Sequence, residues 1–230
     1  SIRQVGVPEE GVQMITITDH EVVSELAKLD HYIDLIIPRG GEALIEAVCA
    51  QARMPVLKHR RGVTHIYIDE SADIDSAIKI IHNAKVSNPS VCNSLEKALV
   101  NARIASLIVP ELVACLRSSS VEVRGCERTQ ALVQDVVLAK ETDWSTEYLD
   151  RIITLKIVNG IDEAIAHIQR YSTGLSDGII TEHYGNAWKF LNAVDSAATF
   201  VNASTRFTDG GEFGLGAEIG INTSKINGMG

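Results

Sequence analysis

Short apolar runs alternate with helix-start signals along most of this chain, and that alternation narrows the fold more than any other feature. Val12–Thr16 reads as a strand, followed by a helix from Asp19, a natural N-cap, through Ala27. Ile33–Ile37 reads as a short buried strand that stops at Pro38-Arg39-Gly40-Gly41 and gives way to a helix at Glu42–Gln51. After the basic turn Lys58-His59-Arg60-Arg61-Gly62, the pattern resumes with a strand at His65–Ile68 and a helix from Asp73 to about Ala84. The loop Val86–Cys92, a strand at Lys97–Val100, a helix at Ala102–Leu116 and a strand at Val121–Val123 complete the series. Strands separated by helices at this spacing predict an α/β fold built on a parallel sheet.

A weak internal echo supports the same reading. Asp73-Ile74-Asp75-Ser76-Ala77-Ile78 and Gly160-Ile161-Asp162-Glu163-Ala164-Ile165 both follow strands, and both place acidic residues where a helix dipole favours them. The plain expectation is two ordinary α/β units with the same capping chemistry. The basic turn is the predicted boundary between a first domain at 1–57 and a second at 58–220, with a separate segment at 221–230.

The formal net charge of −9 argues against a nucleic-acid partner, which needs a basic face. No apolar run is long enough to span a membrane, and the start Ser1-Ile2-Arg3-Gln4 has no signal-peptide core, so a cytoplasmic protein is expected. The four cysteines, Cys49, Cys92, Cys115 and Cys126, are widely spaced without a C-x-x-C pair, and the histidines form no ligand pattern. No metal site is therefore expected, and no G-x-S-x-G elbow marks a serine hydrolase.

Three segments carry residue types suited to chemistry. Cys92 lies in the loop Asn88-Pro89-Ser90-Val91-Cys92-Asn93, where a thiolate could attack an acyl carbon. The plain alternative is a small buried hydrophobe, which is the reading for Cys49 and Cys115. Arg39-Gly40-Gly41 ends an apolar run at a helix start, where backbone N–H groups and a guanidinium suit an anion; the alternative is a tight turn. Ser204-Thr205-Arg206-Phe207-Thr208-Asp209 joins hydroxyls and a guanidinium beside Gly210, Gly211, Gly214, Gly216 and Gly220, which suits a carboxylate or phosphate. A glycine-rich surface loop is the alternative there.

Taken in order, Ile37-Pro38-Arg39-Gly40-Gly41, Pro89-Ser90-Val91-Cys92-Asn93, the run Asn202–Gly211 and Phe213-Gly214-Leu215-Gly216-Ala217-Glu218 resemble the gamma-glutamyl phosphate reductase family of the aldehyde dehydrogenase superfamily. The resemblance implies an aldehyde dehydrogenase-like fold, with a parallel-sheet catalytic domain and the trailing part of a Rossmann-like cofactor domain. It implies NADPH-dependent reduction of L-glutamyl 5-phosphate to L-glutamate 5-semialdehyde in proline biosynthesis, and assembly into a homo-oligomer. Cys92 matches the catalytic cysteine, and Arg39, Gly40 and Gly41 match the turn facing the nicotinamide. Glu147 resembles the glutamate that holds the nicotinamide ribose. Asn202, Ser204, Thr205, Arg206 and Phe207 fall in the block lining the substrate pocket. Members of the family carry further chain on the N-terminal side, including most of the dinucleotide-binding domain. A truncated, non-catalytic assembly or regulatory module is thus one alternative, and an acylating aldehyde dehydrogenase using another activated acid is a second.

Overall fold

A computed structural model describes Gln4, Gly6 and residues 8–19, 21–57 and 61–216. The segment 221–230 lies outside the described residues. The chain divides into two compact units, Ser1–His59 and Arg60–Gly230.

The first unit contains helices α1 (Glu21–Leu26) and α2 (Glu42–Gln51). Asp19 accepts a hydrogen bond from the Glu21 amide at 3.0 Å, the capping expected of it, although the helix is shorter at both ends than its apolar pattern suggested. The two expected strands do not form. Residues 12–19 have no ladder partner among the described residues, and Ile33–Ile37 is reduced to a single parallel bridge, Ile36 to Val56. A strand needs a neighbour to satisfy its amides and cover its faces, and apolar content alone supplies neither. The side chains expected to be buried stand in solvent instead: Val12 is 70% exposed and Met14 84%.

The second unit is a seven-stranded parallel sheet. Its strands are β1 (Thr64–Ile68), β2 (Leu95–Asn101), β3 (Glu122–Gly125), β4 (Val137–Leu138), β5 (Ile152–Val158), β6 (Ser176–Ile180) and β7 (Ala198–Val201), in the order β4-β3-β5-β2-β1-β6-β7. The connecting helices are α3 (Ile74–Val86), α4 (Ala105–Ser118), α5 (Glu127–Leu132), α6 (Ile161–Tyr171) and α7 (Tyr184–Ala193). α3 and α4 cover one face through Ala77, Ile81, Ile108, Leu112 and Leu116, which close on Ile66, Ile68, Ala98 and Val100. α6 and α7 cover the other through Ala164, Ile168 and Phe190, against Tyr67, Leu99 and Ile179. β1 and β2 are buried along their whole length on both faces, so neither shows the apolar–polar alternation of a half-exposed strand. The α/β parallel-sheet expectation holds, and β1, α3, β2, α4 and β3 lie within a few residues of their predicted places.

The internal echo holds for charge, with Asp75 in the first turn of α3 and Asp162 and Glu163 in that of α6, but not for the caps. Asp73 caps α3 by accepting from the Ser76 amide at 2.9 Å. α6 has Gly160 at its N-cap without a side-chain bond, and Glu163 reaches back to the Asn159 amide at 2.9 Å instead. The expected shared capping chemistry is absent, because Asp162 falls inside the first turn rather than ahead of it.

Candidate active site

All strands of the sheet point the same way, so the segments just ahead of β1, β2 and β5 meet along its amino-terminal edge. Three of them converge there: Gly62 before β1, Cys92 before β2, and Glu147 before β5. Gly62 donates its amide to Glu147 Oε1 at 2.7 Å. It also lies flat against the Cys92 peptide. A Cβ at position 62 would come within 1.9 Å of the Cys92 carbonyl oxygen, so only glycine fits. Glu147 and Cys92 are thus linked through one glycine.

Cys92 is partly exposed, and so are Cys49, Cys115 and Cys126; none forms a disulfide. Cys115 and Cys126 pack against the larger core, as expected for Cys115, whereas Cys49 is less buried than its apolar neighbours suggested. Downstream of Cys92 the loop is held by the polar segment after β7. Ser204 caps a 3-10 helix at Thr205–Thr208. Thr205 Oγ1 donates to the Asn93 carbonyl at 2.8 Å, and the Arg206 guanidinium donates to the Asn93 side-chain oxygen. Arg206 is held in turn by Glu212 at 3.0 Å and Asp209 at 3.5 Å. A planar fork is suited to such multiple anchoring.

The structure therefore assigns visible tasks to the polar block. Ser204, Thr205 and Arg206 are buried and bonded internally, fixing the Cys92–Asn93 turn. Asn202 sits in left-handed backbone conformation (φ 52°), and its amide exchanges two hydrogen bonds with the backbone of Thr181, at 2.8 and 2.9 Å. Phe207 stands partly exposed and tilts against Phe213, ring centres 5.0 Å apart. Gly214 and Gly216 have positive φ, as the glycine density suggested, while 217–220 lie outside the described residues.

Arg39, Gly40 and Gly41 belong to the first unit. All three are exposed; Gly40 has φ 153° and Gly41 precedes the first turn of α2, accepting from the Leu44 amide at 3.0 Å.

Sequence reasoning missed the charges behind Cys92. Glu96 and Lys97, at the start of β2, are fully buried, as is Lys85 on α3. Glu96 accepts from Lys85 Nζ at 3.3 Å, and Lys97 Nζ lies 4.0 Å away. Burial pushes Lys97 down to about 7, holds Lys85 below its ordinary value, and raises Glu96. The available signal was a Glu-Lys pair inside an otherwise apolar run directly after a candidate nucleophile. On the face that Lys97 shares, His167 is buried beside His65 and Lys156. Desolvation first, then the neighbouring His65, Lys156 and Lys97, lowers it to about 2 and keeps it neutral.

Among the described residues, no cluster of His, Cys, Asp and Glu is placed to hold a metal ion, and no helix is long and apolar enough to cross a membrane. A polar cleft of about 380 Å³ opens at the opposite, carboxyl edge of the sheet, lined by Asp69, Glu70, Asn101, Arg103, Asn159 and Asp162.

The fold belongs to a known class. The model of the aldehyde dehydrogenase family matches residues 1–131, and the chain belongs to that family. Within it, all 230 residues align at 52% identity with a gamma-glutamyl phosphate reductase of Thermotoga petrophila, covering 55% of that protein. The crystal structure of gamma-glutamyl phosphate reductase from Thermotoga maritima superposes with a TM-score of 0.93 at 51% identity, over 99% of this chain and 55% of that one. An acetylating aldehyde dehydrogenase from Geobacillus thermoglucosidasius, 22% identical, shares the fold with a TM-score of 0.68, over 91% of this chain and 54% of that one. The chain spans about half the length of the curated relatives it matches.

Proposed function

We propose that this chain is the cysteine-bearing part of an NADPH-dependent reductase that converts L-glutamyl 5-phosphate to L-glutamate 5-semialdehyde, a step of proline biosynthesis. The observation that carries the reading is the Cys92 turn. Cys92 is a partly exposed residue there, backed on one side by Gly62, and its turn is held on the other by Thr205 and Arg206. Similarity to gamma-glutamyl phosphate reductases along the entire chain supports this substrate over another activated acid.

In the proposed reaction the Cys92 thiolate attacks the γ-carbonyl carbon. The acyl–phosphate bond breaks, inorganic phosphate departs with the electron pair, and a thioester remains. NADPH, when bound, supplies the hydride that reduces this thioester. The resulting thiohemiacetal oxyanion collapses to the aldehyde, the carbon–sulfur bond breaks, and the Cys92 thiolate returns with the electron pair. The Cys92 backbone N–H is the proposed oxyanion donor. Glu147 fits a ribose-holding role on one structural ground: it is a partly exposed carboxylate with a single oxygen bonded to Gly62, and a carboxylate has acceptor capacity beyond one bond. Arg39, Gly40 and Gly41 are the proposed nicotinamide-side turn. Asn202, Ser204, Thr205, Arg206 and Phe207 form the proposed substrate wall, with Phe207 as its exposed face. A homo-oligomer in the cytoplasm belongs to the same proposal.

Thiol labelling tests the nucleophile. With limiting iodoacetamide, peptide mass spectrometry is expected to find Cys92 modified faster than Cys49, Cys115 or Cys126. Equal labelling of all four would remove Cys92 from its proposed role.

A further inference from the structure

We propose that Glu96 and Lys97, buried at the start of β2, are positioning residues that hold Glu147 and, through it, the Cys92 turn. The proposal rests on the roles given above to Cys92 and Glu147. It begins with backbone groups on either side of Glu147. Glu96 Oε2 accepts from the Tyr148 amide at 3.1 Å, and Lys97 Nζ donates to the Thr146 carbonyl at 2.7 Å. One peptide group before Glu147 and one after it are therefore fixed by consecutive residues of a single strand.

The rest of the linkage is short. Glu147 Oε1 takes the Gly62 amide at 2.7 Å, and Gly62 abuts the Cys92 carbonyl. Cys92 itself lies four residues ahead of Glu96 in sequence. β2 thus carries the proposed nucleophile's turn at its entrance and, one step inside, the two side chains that hold the backbone on either side of Glu147. Lys85 completes the arrangement by occupying the other Glu96 oxygen. The Lys97 ammonium also lies 4.3 Å from the centre of the Tyr148 ring, a second hold on the same segment.

Three buried charges are an expensive way to fill a core. Ion pairs in such places commonly stabilise no better than apolar residues of similar size. The neighbouring positions of β2, Leu95, Ala98 and Leu99, show that aliphatic packing is available there. Aliphatic side chains cannot accept an N–H or donate to a carbonyl. What the charged pair adds is a fixed geometry for residues 146–148, and a misplacement of about 1 Å near reacting atoms can lower a rate about 100-fold.

The test uses the 230-residue chain with three readouts: amide exchange at Gly62, the Cys92 to Cys115 alkylation ratio, and NADPH fluorescence titration. Lys97→Met keeps the Glu96–Lys85 pair and removes the bond to Thr146. It is expected to speed Gly62 exchange about tenfold, the equivalent of one net hydrogen bond, and to shift the alkylation ratio while Leu99 stays protected. Glu96→Gln retains an acceptor for Tyr148 and is expected to stay near wild type, whereas the paired change Glu96→Leu with Lys85→Leu loosens Gly62. Wild-type Gly62 exchange and alkylation ratio in folded Lys97→Met overturn the proposal. Should the paired change unfold the sheet, the two single substitutions decide. Glu147→Ala separates the underlying reading: unchanged NADPH titration there defeats the ribose role, while Gly62 exchange and the thiol ratio still judge Glu96 and Lys97.

Discussion

Replacing Gly62 by alanine probes the contact through which the proposed site is assembled. The three atoms nearest the added methyl are all backbone: the Cys92 carbonyl oxygen at 1.9 Å, its carbon at 2.7 Å and the Cys92 Cα at 3.0 Å. Moving a side chain aside does not relieve these contacts. Reaching even 3.0 Å from that oxygen requires a separation of about 1.1 Å, so either the start of β1 or the cysteine turn must move. If Gly62 moves, its 2.7 Å bond to Glu147 stretches past hydrogen-bonding range; if the turn moves, the 2.8 Å bond from Thr205 to Asn93 is lost. Overpacking costs about 1–3 kcal/mol and a net hydrogen bond about 1 kcal/mol, so the expected destabilisation is about 2–4 kcal/mol. Urea unfolding followed by tryptophan fluorescence measures it, since Trp144 is buried in the second unit. Gly160→Ala is the control, because nothing lies within 4 Å of a methyl there. The reasoning fails if Gly62→Ala unfolds at the wild-type midpoint with the wild-type rate of Cys92 alkylation.

Two further outcomes follow from neighbouring contacts. Because His167 is held near 2 in the folded chain, the unfolded chain binds the extra proton between that value and about 6.5, and stability rises with pH across the window. Lowering the pH from 7 to 5 should cost about 2 kcal/mol through this residue, and His167→Gln should flatten the slope; an identical slope in the variant would exclude His167 as its source. Thr205→Val keeps the shape but strands the Asn93 carbonyl, so a loss of about 1–3 kcal/mol and a changed Cys92 alkylation rate are expected, against which an unchanged melt and rate would count.

What could be read from the residues divides along a physical line. β1, α3, β2 and α4 were legible because each buries a run or stripe that its own sequence displays. Val12–Thr16 and Ile33–Ile37 display apolar runs too, but a strand is completed by its neighbours, and among the described residues the first unit gives Ile36 a single bridge, to Val56. At the proposed site, Cys92 and the Ser204–Arg206 block could be singled out by residue type alone. Gly62 did not: it closed a basic turn, and its value lies in a contact with a backbone thirty residues away. Glu96 and Lys97 were opaque for the same reason, since the groups they hold, Tyr148 and Thr146, are 52 and 49 positions distant.

The two edges of the sheet show why function has to be argued from the site rather than from the fold. Ligands of open parallel sheets commonly bind beyond the carboxyl ends of the strands, which here points to the polar cleft. Its carboxylates already have partners. Glu70 pairs with Arg103 at 2.6 Å, Asp162 pairs with Lys189 at 2.6 Å, and buried Asp69 accepts from Tyr67, Ser71, Thr181 and Asn186. At the amino edge Cys92 is partly exposed, and buried Glu96 and Lys97 brace the segment that carries Glu147. Groups already partnered suit the closing of one end of a sheet, whereas bracing around the proposed nucleophile suits holding it in position, and on that ground the amino edge is the proposed site.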